Sequence, residues 1–445
     1  MDWYSKWDAS LDGWIVVAGI LCAVAAALPG NFLVLRRMSM LGDAVSHAIL
    51  PGLAIAFFIS NSRSSIPMLV GAVIAGLLTA LFTEWIRGFG DVDEGASMGV
   101  VFTTLFAIGL ILIVQAADHV DLDPSCVLSG SIETIPEDLV SIGQFRIPRV
   151  VLMLSGVLMV NVVAVSVFYK EFQVSAFDAA LGTTQGIPAW IMHYLLMVLV
   201  AVTAVASFES VGNILVVAMF VVPPSTARLL TDRLGRMILL SCVIAAVGAA
   251  LGHISAIAVP PWLGFDRSVS TSGMMALTTG LLFVTALLFA PHQGVVPQFV
   301  RRQLLSLRIL SEDLIALMYR MEERSGNLAP STDDLRTVLL SGRYVTQLLM
   351  RHHRMSGTVV RQTGSGRFQL TDKGRRQAAE LVRSHRLWEQ YLVSEAGVST
   401  ERIHQQAEKL EHFTGRDLRD RLDQQTATPT LDPHGRPIPA ENNPS

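Results

Sequence analysis

From Gly13 to Ala290 the chain reads as a succession of long apolar stretches with few charges inside them. A bilayer span takes about 20 mostly apolar residues. Nine stretches meet that need: Trp14–Leu35, Ala44–Ser60, Ile66–Ile86, Met98–Ala117, Val150–Tyr169, Ile187–Phe208, Val211–Leu230, Met237–Val259 and Ser272–Ala290. In lipid every backbone N–H and C=O must be satisfied internally, and spans of this length do so as helices. The fold class this predicts is an all-α polytopic membrane protein with about nine transmembrane helices. The Phe208–Val211 connection is very short for a loop, which leaves the arrangement of the two spans around it open.

Basic residues orient such a chain, because Lys and Arg collect in cytoplasmic connections. Arg36/Arg37, Lys170, Arg228/Arg233/Arg236 and Arg301/Arg302 fall in alternate connections, while the Asp118–Arg149 connection opens with Asp118, Asp121 and Asp123. The N-terminus is therefore expected outside and the C-terminus in the cytoplasm, with the chain in the plasma membrane. After Arg301 the text turns into ordinary soluble composition. The first 300 residues carry 12 basic and 19 acidic side chains, and the last 145 carry 22 and 18. The expected division is a membrane domain over 1–296, a linker over 297–310, a cytoplasmic domain over 311–439 and a tail over 440–445. The three cysteines are far apart and show neither metal nor disulfide spacing.

The segment "MSMLGDAVSHAILPG" (Met38–Gly52) holds an aspartate and a histidine at i and i+4, on one helical face. A carboxylate and an imidazole so placed can share a divalent cation. Pro51 has no N–H, so the carbonyl of His47 loses its helical partner and needs another donor, a cation or water. Ionisable groups inside a membrane usually face a pathway. The spacing alone fits equally a helix-capping Asp43 and a satisfied interfacial His47.

"GNFLVLRRMSMLGDAVSHAILPGLAIAF" resembles the signature of the zinc/manganese/iron ABC importer permeases. The likeness continues through "SMGVVFTTLFAIGLIL", "YKEFQVSAFDAALGTTQGIPAWIMHYLL" and "SVGNILVVAMFVVPPSTARLL". It implies that Asp43 and His47 are metal ligands of a translocation pathway shared by two permease subunits, a second copy or a paralogue. It also implies that Ser175–Pro188, with Phe177, Asp178, Ala179, Ala180, Leu181 and Gly182 at its centre, docks on an ABC ATPase subunit. An extracytoplasmic metal-binding protein would deliver the ion. The outer stretch "LDPSCVLSGSIETIP" is more polar than the family's usual glycine- and phenylalanine-containing version. No P-loop, G-x-x-x-x-G-K-[ST], occurs in the chain. The expected protein is thus a transporter subunit and not an enzyme, and ATP acts only through a partner.

The last 145 residues read as helix, helix–turn–helix and hairpin, the order of a winged helix, followed by further helices. "GTVVRQTGSGRFQLT" alternates around Gly364 and Gly366 as a short hairpin would. "SHRLWEQYLV" sets His385 and Glu389 at i,i+4, and "IHQQAEKLEHF" carries His404, Glu408, Glu411 and His412 at helical spacing. A charged helix surface is the plainer reading of each motif alone. Together with "FQLTDKGRRQAAELVRSHRLWEQYLV" and "DPHGRPIP", however, they resemble the diphtheria-toxin-repressor family of iron/manganese-dependent repressors. That resemblance implies a winged-helix domain with a metal-binding and dimerisation domain. The implied ligands are His385, Glu389, His404, Glu408, Glu411 and His412, with Asp313 at a ligand position of the first helix. Carboxylates at Asp313 and Glu408, where iron-responsive members place sulfur, favour manganese. Ala316 stands where manganese-type members have an acidic ligand.

The function so implied is the permease subunit of an ATP-driven importer for a divalent transition metal, manganese first and iron or zinc as alternatives. The cytoplasmic domain would sense the same metal and regulate transport. The rival is a membrane-anchored, metal-dependent transcription regulator. Arg343, Tyr344, Gln347 and Arg351 could then meet DNA, but a mild positive balance in the tail makes DNA the weaker partner.

Overall fold

The structure is a computed structural model. It describes the chain except residues 1–6, 9, 39, 61–64, 91, 118–131, 143–144, 263, 265–268, 326–328, 341, 363–366, 428 and 442–445. The chain forms two compact units, 1–298 and 299–445.

In the first unit, helices α1 (Asp12–Leu35), α2 (Leu41–Ser60), α3 (Ser65–Gly90) and α4 (Glu94–Ala117) come first. A 3₁₀ turn (Ile132–Glu137) and an antiparallel hairpin, β1 (Leu139–Ile142) with β2 (Phe145–Pro148), follow. Then come α5 (Arg149–Val167), two short helices α6 (Tyr169–Phe177) and α7 (Ala179–Thr184), and α8 (Ala189–Val211), α9 (Asn213–Leu230), α10 (Leu234–Trp262) and α11 (Thr271–Phe289). Among the described residues nine helices are long and apolar enough to cross a membrane, each overlapping one of the nine apolar stretches. Most of the outer stretch Leu122–Pro136, and Asp118, Asp121 and Asp123, lie outside the described residues. The hairpin after it carries no strong alternation in sequence and was not foreseen. The short 208–211 connection resolves into two separate helices joined at Gly212, whose φ of 89° is a backbone state open to glycine.

Lipid tails offer no hydrophobic drive for helix association, so close backbone approach takes its place. A Cβ built on Gly71 would lie 2.5 Å from the Gly52 carbonyl oxygen, and one on Gly109 2.7 Å from Pro51 Cδ. Helices α3 and α4 therefore seat directly against α2 at the turn that carries Pro51. Elsewhere Gly30 abuts the Phe220 carbonyl and Gly252 the backbone of Met275. Buried amides stitch the same bundle: Asn31 donates to the Ala27 carbonyl and to Ser241 Oγ, and Asn161 donates to the Ala25 carbonyl and Thr203 Oγ1.

The second unit begins within α12 (Val295–Ser325). It continues with α13 (Thr332–Val338), α14 (Arg343–Met355), the pair β3 (Val359–Arg361) and β4 (Phe368–Leu370), and α15 (Asp372–Ser394), α16 (Thr400–Glu411) and α17 (Arg416–Gln425). A capping box, Ser331 with Asp334, starts α13, and Thr371 caps α15 through the Gly374 N–H. Leu314, Met318, Leu335, Leu349, Met350, Phe368 and Leu370 form the winged-helix core. His353, buried at the end of α14, lies 3.0 Å from the Ser311 carbonyl and 2.8 Å from Thr358 Oγ1, tying the first helix to the wing. The tip of the wing, with Gly364 and Gly366, and Ser341 before α14 lie outside the described residues.

The structure gives the form of two segments at the expected boundaries. Residues 297–310, read as a linker, are helical within α12, because apart from Pro297 they are helix formers, and a proline is tolerated in a first helical turn. The tail from 440 is not loose at its start: Glu441 pairs with Arg419 at 2.8 Å and with Arg383 at 3.0 Å. The close α2–α3 crossing yields a direct expectation. Gly71→Ala should force backbone against backbone and lower the stability of the detergent-purified protein by ~1–3 kcal/mol. Gly99→Ala, whose Cβ meets open space, should leave the thermal midpoint unchanged or slightly raised.

Candidate metal centres and the coupling segment

Asp43 and His47 stand one turn apart on α2, Oδ1 to Nε2 3.4 Å. Their side chains are 41% and 29% exposed. The His47 ring is flanked by Phe102 and Phe106 of α4, with centroids 5.9 and 5.7 Å away. The aromatic pair limits where the imidazole can turn. No third histidine, cysteine or carboxylate completes a cluster with them among the described residues. A half-exposed pair of this kind offers a cation one oxygen and one nitrogen and leaves its remaining positions to water or to another chain.

A polar network joins the residue run before this pair to the segment read as the ATPase contact, through side chains that the sequence alone does not connect. Arg36 lies 3.2 Å from His193 Nδ1 and donates to Ser175 Oγ. His193 Nε2 is 3.7 Å from Glu84, which also faces Arg87 at 3.4 Å. Arg36 precedes α2, and Ser175 is the buried first residue of the segment read as the ATPase contact. In that segment Asp178 caps α7 by accepting from the Leu181 N–H at 2.9 Å. The cap projects Phe177, Ala179, Ala180 and Leu181 outward, while Gly182 is buried. Phe177 and Leu181 are 58% and 48% exposed, an apolar knob on a short rigid helix.

Among the described residues the second unit brings expected ligands together in two donor clusters. In one, His385 and Glu389 of α15 meet His404 of α16. His385 Nε2 is 3.1 Å from Glu389 Oε1 and 2.9 Å from His404 Nδ1, and that nitrogen is 3.1 Å from Glu389. In the other, Asp313 of α12 meets Glu411 and His412 at the end of α16: His412 Nε2 is 3.2 Å from Asp313 and 3.6 Å from Glu411. Glu312 holds the other imidazole nitrogen at 2.8 Å. Within each trio, ligand atoms lie within 4.8 Å of one another. Glu411 also touches His385 Nδ1 at 2.5 Å, so one carboxylate links the clusters.

Glu408 is exposed and lies in neither trio, because the buried face of α16 runs through Ile403, Ala407 and Glu411 and leaves Glu408 on the solvent side. Ala316, one turn from Asp313, is buried and offers no donor. Two residues the sequence reading did not name as ligands are present. Asp432 and His434 lie beside Glu389 as a third trio. Arg383 donates to the Pro439 carbonyl and Arg386 to the Pro437 carbonyl, clamping the strap that carries them. The signal for them was the run "DPHGRPIP", but a loop gives no spacing from which a partner 43 or more residues away can be read.

The donor chemistry fits a divalent transition metal. Imidazole and carboxylate supply the ligands without sulfur, a set suited to manganese, iron(II) or zinc. His412 Nε2 is buried and makes no well-aligned hydrogen bond in spite of the oxygens near it. Without a cation, protons hold the negative charge together. Burial disfavours a charge on His412, but Asp313 and Glu312 outweigh it and raise its pKa to about 9. Burial likewise opposes charge on His385, and Glu389 and Glu411 reverse the effect. Glu389, against the same burial, is drawn down to about 2 by His385 and His404.

The sign of the pH dependence follows. A histidine raised from its ordinary 6.5 stabilises the metal-free fold fully below that value, and the contribution is lost as pH rises through about 9. A metal at this imidazole must displace the proton, so its affinity should rise over the same interval. Mn²⁺ titrations of the full chain at pH 6.5 and 8.5 should show tighter binding at the higher pH with proton release, and His412→Gln should flatten the difference.

Residues 13–290 match the ABC 3 transport family, and residues 371–440 match the iron dependent repressor, metal binding and dimerisation domain. The manganese transport system membrane protein MntD of Bacillus subtilis is 43% identical over 293 residues, 66% of this chain and 96% of that protein. The zinc transport system membrane protein TroD of Treponema pallidum is 37% identical over 300 residues, 67% of this chain and 78% of that protein. Among solved structures, PsaBC from Streptococcus pneumoniae in complex with Fab superposes with a TM-score of 0.52 at 29% identity, covering 63% of this chain and 92% of that one.

Proposed function

Because the chain belongs to the ABC 3 transport family, we propose that it is the membrane permease subunit of an ATP-driven importer for a divalent transition metal, manganese foremost. The observation that carries this reading is the Asp43–His47 pair on α2, half-exposed beside Pro51. Asp43 supplies a hard oxygen and His47 a nitrogen to a cation that sheds water as it passes. A second copy or a paralogue supplies the facing pair. Phe177 and Leu181 on the exposed face of α7 meet the ATPase subunit. Arg36, bonded to Ser175 on one side and leading into α2 on the other, relays movement of that contact to the metal pair. Iron and zinc share the ligand preferences of such a site, and the relatives named for manganese and zinc support the same range.

In proteoliposomes with the partner ATPase, Asp43→Ala should lower Mn²⁺ uptake by at least the ~10–100-fold that loss of an outer metal partner alone costs. Phe177→Asp should abolish ATPase stimulation while leaving the fold intact. Unchanged uptake by both Asp43→Ala and His47→Ala would overturn the reading, and uptake without any ATPase would point to a secondary transporter.

The second unit is the metal sensor of this transporter, on the cytoplasmic side, a position that the basic residues in alternate connections support. Its clusters bind the transported ion and bias the transporter toward rest once cytoplasmic metal suffices. That bias exists only to the degree that the ion binds two transport states unequally. Uptake by the wild type should fall as internal Mn²⁺ rises, and His385→Ala with His412→Ala should abolish the fall. Identical responses in both proteins would exclude regulation. Specific operator binding by the full chain would favour the rival, a membrane-anchored regulator.

A further inference from the structure

We propose that the first half of α12, from Val295 to Arg308, is an interfacial helix that lies on an anionic membrane surface. The helix changes character along its length. From Leu314 to Met318 it is buried in the winged-helix core. Before that, residues Val295, Val296, Phe299, Val300 and Leu304 are 54, 40, 62, 46 and 61% exposed. At 3.6 residues per turn these five side chains, with Leu307, cover one half of the helix circumference. Gln298, Arg301, Arg302 and Arg308 occupy the other half. Leu305 stands among them, and Gln303 and Ser306 fall within the otherwise apolar half. An apolar half opposite an arginine-rich half is the arrangement of a helix that rests in the headgroup region.

Chain length selects the bilayer as occupant. The last span ends at Phe289 and α12 begins at Val295. The intervening Ala290–Gly294 can reach no more than ~20 Å fully extended, and the turn is shorter because the Gly294 N–H donates to the Ala290 carbonyl at 2.9 Å. The apolar face therefore starts within reach of the headgroups. Arg301 and Arg302 are exposed, and Arg308, though it meets Glu312 at 2.9 Å, is 71% exposed. Guanidinium groups at that level favour anionic lipid over neutral lipid. The same helix carries Glu312 and Asp313, so the membrane would anchor the helix that contributes to the His412 cluster. The lipid contact itself requires no metal and does not depend on the proposed function.

The test places an environment-sensitive nitrobenzoxadiazole probe at Phe299→Cys and, separately, at Arg301→Cys, in a full chain whose three native cysteines are replaced by alanine. The labelled proteins are reconstituted in nanodiscs of neutral lipid and of neutral lipid with phosphatidylglycerol. Both leaflets are alike in each disc, so the result does not depend on which side faces the cytoplasm. The probe at position 299 should emit blue-shifted and be quenched by spin-labelled acyl chains, more strongly with phosphatidylglycerol, and the probe at 301 should be quenched less. Arg301→Glu with Arg302→Glu should remove the lipid preference at 299. A probe at 299 open to aqueous iodide in both discs would overturn the proposal. So would one shielded from iodide and from spin-labelled lipid alike, which would assign the face to a protein partner such as a second copy.

Discussion

A polar group inside hydrocarbon has to find its partner within the protein, and the architecture of the first unit follows from that constraint. It makes the spans helical, since only a helix satisfies its own backbone over 20 residues. It gives the side-chain N–H groups of Asn31 and Asn161 a carbonyl and a hydroxyl each, although their amide oxygens stay buried without a hydrogen bond. It also makes Asp43 and His47 exceptional. They stand half-exposed on one face of α2, beside a proline that frees a carbonyl and against two helices that approach so closely that only glycine fits at Gly71 and Gly109. The tight crossing and the polar pair belong to one design: the backbone contacts hold α2 rigid so that its one costly face stays aimed.

The second unit solves a different problem, that of gathering carboxylates. Glu312, Asp313 and Glu411 converge on one imidazole, and their mutual repulsion is offset by the proton on His412 and by Arg320, 3.7 Å from Glu411. The strap after α17 works in the opposite sense. Arg383, Arg386 and Arg419 are buried and would be costly alone, and they spend their charge on Glu441, Asp423, Glu323 and strap carbonyls. That ionic clamp brings His434 against Glu389, although a proline-rich run has no periodic structure of its own to do so.

Much of this was legible in the sequence wherever a period or a length carried the information. Among the described residues nine long apolar helices overlap the nine apolar stretches, because the length needed to span a bilayer is set by the solvent. The i,i+4 spacing of Asp43 and His47 and of His385 and Glu389 became real proximity, because each pair sits on one helix. Illegible were the places where tertiary contact decides. Spacing on α16 put Glu408 with Glu411, but the face that packing buries runs through Ile403, Ala407 and Glu411 and leaves Glu408 exposed. Asp432 and His434 joined the site through a clamp that spacing cannot encode. Arg36 looked like an orientation marker and proved to be bonded to Ser175 and His193, residues more than a hundred positions away. The stretch 297–310 looked like a linker because it follows the last span, though its residues had every reason to be helical.

Glu411 carries the argument one step further. One of its oxygens touches His385 Nδ1 and the other faces His412 Nε2, so the two clusters share a single carboxylate. A cation that draws Glu411 toward His412 withdraws the acceptor that orients the His385 ring, and that ring faces Glu389 and His404 through its other nitrogen. A metal bound at either cluster would thus change the donor set of the other through one side chain. The energetic link between them is bounded by what a charge-assisted hydrogen bond contributes, about 1.5–3 kcal/mol, or roughly one to two decades of affinity. Such a range suits a sensor that must distinguish a sufficient supply of metal from an excess, because two sites that each respond over their own span of concentration then respond in sequence rather than independently.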